Sequence, residues 1–127
     1  MLKITTFEKK FIDSDGRERI FNGVNLCDKG YNKDGEERRT YLLDFDEKLI
    51  KRLSECGFNL VRLGLTWDAV EPEPEKYDEE YLEKVQKVAD LCEKYGIYFY
   101  LDMHQDLYGG TVDTPADGAP AWACITD

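Results

Sequence analysis

Two mostly apolar runs of strand length, residues 58–65 and 97–103, are separated by a helical stripe, and that alternation leaves few folds open. Between them Tyr81, Leu82, Val85, Val88, Ala89 and Cys92 recur at helical spacing after Asp78, and Gly96 closes the segment. An earlier stripe of Leu49, Ile50, Leu53 and Cys56 has the same period. It opens at Asp44, with Glu47 three residues on as a capping box, and stops at Gly57. Before it, Asn22-Gly23-Val24-Asn25-Leu26-Cys27 reads as a short strand. At the front, residues 10–13 and 17–21 flank Ser14-Asp15-Gly16, and an Asp-Gly turn between alternating segments predicts a hairpin. The stretch from 28 to 40, with Gly30, Asn32 and Gly35, and the stretch after 103, with Gly109, Gly110, Pro115, Gly118 and Pro120, read as loops.

The predicted order is hairpin, then β-α-β-α-β. Apolar strands alternating with amphipathic helices predict an α/β fold with a parallel sheet covered by helices. Strand starts near 22, 58 and 97 repeat at about 35–40 residues, the size of one βα unit with its loops. A nucleotide-binding doubly wound domain is disfavoured, because no Gly-x-Gly-x-x-Gly follows the first strand.

Side chains alternate across a strand. Ile97, Phe99, Leu101 and Met103 form one uniformly apolar face, predicted to meet helices. Tyr98, Tyr100, Asp102 and His104 form the other, which grows more polar towards the strand's end, and Asp106 continues their parity. By the same reading Val61, Leu63 and Leu65 face helices and Leu60, Arg62 and Gly64 do not. Val24 and Leu26 face helices, and Gly23 and Asn25 lie opposite. Such a pattern fits a closed barrel whose C-terminal rim carries function. A buried Arg62 needs a carboxylate, from Asp102, Asp106 or a group elsewhere. A metal cluster of Asp102, His104 and Asp106 is disfavoured, since His104 is the single histidine of the sequence.

The 127 residues carry a formal net charge of -10, which argues against nucleic acid as a partner because phosphate binding needs clustered Lys and Arg. No apolar run approaches the ~20 residues of a membrane span, so no integral membrane segment is expected. The first residues lack the apolar core of a signal peptide. That leaves the compartment open between cytoplasmic and secreted with the leader absent. Cys27, Cys56, Cys92 and Cys124 form no C-x-x-C pair and read as reduced, mostly buried thiols.

Several segments together resemble a family. They are Phe21-Asn22-Gly23-Val24-Asn25, then Gly57-Phe58-Asn59-Leu60-Val61-Arg62-Leu63-Gly64, then Trp67 through Glu71-Pro72. The most specific is Leu101-Asp102-Met103-His104-Gln105-Asp106, followed by Gly118-Ala119-Pro120-Ala121-Trp122-Ala123. In this order and spacing they resemble glycoside hydrolase family 5 of the cellulase-like clan, in its endoglycoceramidase-like branch. The resemblance runs from about Phe11 to the end. It implies the first three βα units of a TIM (β/α)8 barrel, preceded by an N-terminal β-hairpin. Residues 1–127 would then be the truncated N-terminal part of a single catalytic barrel, since a whole one takes ~250 residues.

The resemblance also implies chemistry. One glutamic acid protonates the leaving oxygen and a second attacks the sugar carbon, with retention, the two carboxyls lying ~5 Å apart. In this family the acid ends the fourth strand in an Asn-Glu pair and the nucleophile ends the seventh. No Asn-Glu dipeptide occurs here, so neither catalytic residue is expected in this chain. By resemblance Arg62 holds the nucleophile's carboxylate and His104 lines the sugar subsite. Lys29 and Asp106 bond sugar hydroxyls, and Asp102 supports His104 or the strand end. Trp67, in a rim loop, joins the substrate-binding set. No metal and no cofactor is implied. The expected function is hydrolysis of O-glycosyl bonds in a β-linked glycan or glycolipid, as part of a longer parent chain. The alternative is a non-catalytic fragment or carbohydrate-binding remnant. Unpaired sheet edges predict self-association of the chain alone.

Overall fold

The computed structural model describes residues 1–29, 41–112 and 116–124. The expected breakers Gly30, Asn32, Gly35 and Pro115 lie outside the described residues.

The expected hairpin is present as part of a larger unit. Strands β1 (Ile4–Phe7), β2 (Lys10–Asp13) and β3 (Glu18–Arg19) form an antiparallel sheet with β2 in the middle. Gly16 takes the left-handed conformation at φ 79°, and Asp13 N donates to Arg17 O at 3.0 Å. No local signal marks β1, because its turn uses Glu8 and Lys9, at φ 46° and 67°, in place of the usual Gly, Asn or Asp. Asp13 is buried at the hairpin turn. Its carboxylate accepts from Asp15 N, Arg17 N and Arg17 Nε, each at 3.0 Å. Burial alone would raise its pKa, but these bonds and the Arg17 charge hold it below the ordinary 3.8.

The second sheet is parallel, in the order β4 (Gly23–Cys27), β5 (Leu60–Thr66), β6 (Tyr98–His104). Helix α1 (Glu47–Glu55) crosses from β4 to β5, and α3 (Glu79–Lys94) from β5 to β6. A single helical turn, α2 (Trp67–Val70), sits directly on the end of β5. After β6 the described residues hold only a short 3-10 turn, Ala121–Ala123. Two crossover helices are therefore seen where three βα units were expected.

Both helices start on an aspartate. Asp78 caps α3 as predicted, its carboxylate accepting from Tyr81 N at 2.9 Å. For α1 the cap is Asp46, bonded to Leu49 N at 2.8 Å, and not Asp44. Leu43 lies at φ 48° and Phe45 N donates back to Leu43 O, so the chain is still turning at Asp44. Glu47 consequently does not reach back to the cap. It accepts from Lys94 Nζ at 2.6 Å and Tyr95 OH at 2.5 Å, tying α1 to α3. Both helices end alike: Gly57 and Gly96 have positive φ, and Phe58 N and Ile97 N bond back to Leu53 O and Cys92 O. That closure delays the next strand, so β5 starts at Leu60 where 58 was expected.

The core lies between sheet and helices. Val61, Leu63 and Leu65 are buried as expected, together with Ile50, Tyr81, Val85, Val88, Cys92 and Ile97. Each such large side chain contributes about 1.5–3 kcal/mol on leaving water. Val24 and Leu26 pack against this cluster. Leu101 and Met103 do not share the fate of Ile97. They stay 52% and 58% exposed, because no described element covers that half of β6. In α1 only Ile50 is fully buried, while Leu49, and Cys56 at the C-cap, are exposed. The cysteines are all free, but only Cys92 is buried; Cys27 and Cys124 are partly so. No described helix is long and apolar enough to cross a membrane.

The antiparallel sheet closes the N-terminal ends of the parallel strands. Phe11 meets Phe21 edge-on at 5.2 Å between centroids, and Phe21 meets Tyr98 at 5.5 Å. Tyr98 OH donates to Leu2 O at 2.7 Å, and Asn59 Nδ2 to Ile20 O at 2.9 Å.

Candidate functional site

The polar side chains gather at the opposite, C-terminal ends of the strands. In the parallel register Arg62 pairs with Tyr100, Gly64 with Asp102 and Thr66 with His104. Arg62, Asp102 and His104 thus share a face, as alternation predicts. Arg62 Nη2 lies 2.6 Å from Asp102 Oδ2, and His104 Nδ1 lies 3.3 Å from the same oxygen. Asp102 is therefore the carboxylate that Arg62 needs among those weighed. Their side chains are 31%, 25% and 21% exposed, so water screens this chain of contacts in part. A neutral imidazole that keeps its proton on Nδ1 for Asp102 leaves Nε2 as an acceptor. That Nε2 is buried and has no hydrogen-bond partner among the described residues.

Gly64 lets β4 and β5 close up beside this group. A Cβ there would come 2.7 Å from Cys27 Sγ. Burial pushes the Cys27 thiol up in pKa, and the Asp117 carboxylate adds to the effect, while Lys29 opposes it.

A second ion pair stands beside the first. Lys29 Nζ, just past β4, bonds Asp106 Oδ2, just past β6. The bond raises the Lys29 pKa and holds the Asp106 carboxyl below its usual range. Asp106 is thereby paired with Lys29, whereas Asp102 is paired with Arg62. Among the described residues no group of three His, Cys, Asp or Glu is arranged to hold a metal ion.

The loop after β6 folds back over the rim. Asp106 N donates to Asp117 O at 2.9 Å and Asp117 N to Asp106 O at 3.2 Å. Gly118, at φ 130°, fits where a Cβ would lie 2.5 Å from Gln105 Cβ. Asp68 N, in α2, donates to Gly118 O at 2.8 Å. Trp67 and Trp122 pack edge to face at 5.3 Å and 83°. Glu71 holds both: its carboxylate accepts from Trp67 Nε1 at 2.8 Å, and its carbonyl from Trp122 Nε1 at 3.1 Å. The Trp67 bond, then the bond from Glu75 N, lower the pKa of the Glu71 carboxyl. Asp68 Oδ2 accepts from Tyr41 OH at 2.7 Å, and burial drives that phenol's pKa up.

The structure brings Arg62 and His104 together through Asp102, and Lys29 and Asp106 through their own bond. Trp67 belongs to a third grouping with Glu71 and Trp122. Sequence reasoning passed over Asp117, Asp68 and Tyr41, and quoted Glu71 in a motif without giving it a role. Glu71 carried a usable signal, lying one helical turn after Trp67. Asp117 carried only its place before Gly118.

Residues 12–125 match the family model described as Cellulase (glycosyl hydrolase family 5). The chain belongs to glycosyl hydrolase family 5. This family 5 chain is 36% identical over 124 residues to an endoglycoceramidase of Hydra vulgaris, covering 91% of itself and 22% of that relative. It is 34% identical over 128 residues to an endoglycoceramidase of Cyanea nozakii, covering 99% of itself and 25% of the relative. The crystal structure of endogalactoceramidase matches it with a TM-score of 0.81 at 29% identity, over 99% of this chain and 31% of the other. The family 5 chain thus spans 22% and 25% of the length of these two curated relatives. The likeness is to the endoglycoceramidase branch that its motifs resemble.

Proposed function

We propose that residues 1–127 open a (β/α)8 barrel and furnish part of the substrate-facing rim of a retaining glycosidase. It would cleave a β-linked glycan or glycolipid. The observation that carries this reading is the pairing of Arg62, inside β5, with Asp102 towards the C-terminal end of β6, with His104 on the same carboxylate. Family membership supplies the reaction class. The acid and the nucleophile would come from chain beyond Asp127. Arg62 has N–H donors besides Nη2, and these would hold the nucleophile's carboxylate. His104, Lys29, Asp106 and Trp67 would line the sugar site. The exposed outer face of β6 at Leu101 and Met103 would be covered by the next helix of the same barrel.

Expression of the chain as its gene encodes it, with lactosylceramide as substrate, tests the reading. Release of the sugar with retained anomeric configuration is expected, and none from residues 1–127 alone. Saccharide binding without turnover by the gene-encoded chain would favour the non-catalytic alternative. Neither binding nor turnover would end the proposal.

A further inference from the structure

The bridge between Asp106 and Asp117 sets two carboxylates opposite one another. The residues exchange both backbone hydrogen bonds, so their side chains leave on the same side. Like charges so placed repel. Lys29 answers Asp106 with a direct bond. Asp117 is otherwise placed: it is only 2% exposed, and its Oδ1 has no hydrogen-bond partner among the described residues. Burial raises its pKa, opposed first by the Lys29 charge. His104 Nε2 is also buried and unmet, as are Thr66 Oγ1 and Asp68 Oδ1 at the end of β5. Leaving a buried acceptor without a donor is costly, so each such atom calls for a water or a ligand donor.

The chemistry of the missing group follows from what surrounds it. Asp117 Oδ1 is an acceptor, and so is His104 Nε2 in a neutral imidazole whose proton sits on Nδ1. Phosphate, carboxylate and ketone groups bring further acceptors and do not fit. A metal ion would want a third ligand, and Lys29 already holds Asp106. Neighbouring hydroxyl groups on one sugar ring bring donors close together and do fit. The Lys29 and His104 side chains are 41% and 21% exposed, and Asp117 lies below them in exposure at 2%. The bond from Asp68 N to Gly118 O fixes the backbone beside Asp117 in advance.

We propose that Asp117 forms the floor of the saccharide site, where its Oδ1 and His104 Nε2 accept from neighbouring hydroxyls of one bound sugar. Asp117 is then a specificity-determining residue. This inference rests on the reading of the rim as saccharide-binding.

The test uses the gene-encoded chain, with lactose binding followed by calorimetry and lactosylceramide turnover measured beside it. Asp117→Asn keeps the shape and removes the charge. It should weaken lactose binding about tenfold, the effect of one hydrogen bond to a charged group. Asp117→Ala should weaken it further, and both variants should lose more in KM than in kcat. Wild-type binding in both variants would overturn the proposal while leaving the glycosidase reading intact. A wild-type chain that neither binds lactose nor turns over substrate would overturn both. If both variants fail to fold, 13C NMR of the wild-type Asp117 carboxyl decides. Its resonance should move on adding lactose, and an unmoved resonance counts against the proposal.

Discussion

Asp102 stands one inward position further along β6 than the residue paired with Arg62, and Arg62 reaches across that diagonal to place Nη2 2.6 Å from Asp102 Oδ2. The contact joins two neighbouring strands on the side away from the apolar core. It depends on register, because a slip of one residue would turn one partner towards the helices.

Removing the arginine strands a carboxylate that is mostly out of water. Arg62→Met should lower stability by roughly 1–3 kcal/mol, and Asp102→Asn by less, since the amide oxygen still accepts. Urea unfolding of the two variants measures the order. The reverse ranking would show that the pair does not hold the strands. In the gene-encoded chain, Arg62→Ala should lose more in turnover than in binding, as expected of support for a transition-state partner.

The hairpin carboxylate predicts a pH effect with a definite sign. Asp13 has its folded pKa below 3.8 and returns to about 3.9 on unfolding. Its contribution is complete above the unfolded value and is lost as pH falls through the lower folded one. Stability of Asp13→Asn should therefore fall less than wild type between neutral pH and pH 2. Parallel curves for the two proteins would show that Asp13 gives nothing through its charge.

Gly118 allows no substitution without movement. An alanine there would be strained at φ 130° and would press on Gln105 Cβ and Tyr108 O, at 2.5 and 2.7 Å. Gly118→Ala should cost roughly 2–4 kcal/mol or detach the loop after β6. Hydrogen exchange at the Asp106 and Asp117 amides reports on this, and both should exchange faster. Unchanged protection would mean that the loop accepts the side chain.

The thiols should separate by reactivity. Cys56 is exposed, whereas Cys92 is fully buried, with its pKa pushed up to about 11 by burial. A disulfide reagent at neutral pH should label Cys56 within minutes and Cys92 only after unfolding. Prompt labelling of Cys92 in the native protein would contradict the packing of α3 on the sheet.

The elements best read from sequence were those whose signals are local. Asp78, Gly96 and the stripe between them define α3 without reference to anything else. Parity placed Arg62, Asp102 and His104 on one face, and the register confirms that placement. Local signals failed where tertiary contacts decide. Asp44 and Asp46 are equivalent caps by composition, and the turn at Leu43 chooses between them. Leu101 and Met103 match Ile97 in pattern and differ only in whether a helix lies over them. Asp117 became visible only once the loop had folded back against Asp106.

The antiparallel sheet has a consequence for how this chain can vary. Its contacts, through Leu2, Phe11 and Phe21, meet the parallel sheet at Tyr98, the first residue of β6, while His104 is the last. Seven residues of strand separate foot from rim, roughly 20 Å. The aromatic packing of the foot and the Asp102–His104 contact of the rim are thus held at opposite ends of the same strand. Exchanging the foot between relatives should change how firmly this strand end is packed while leaving the Asp102–His104 contact where it was.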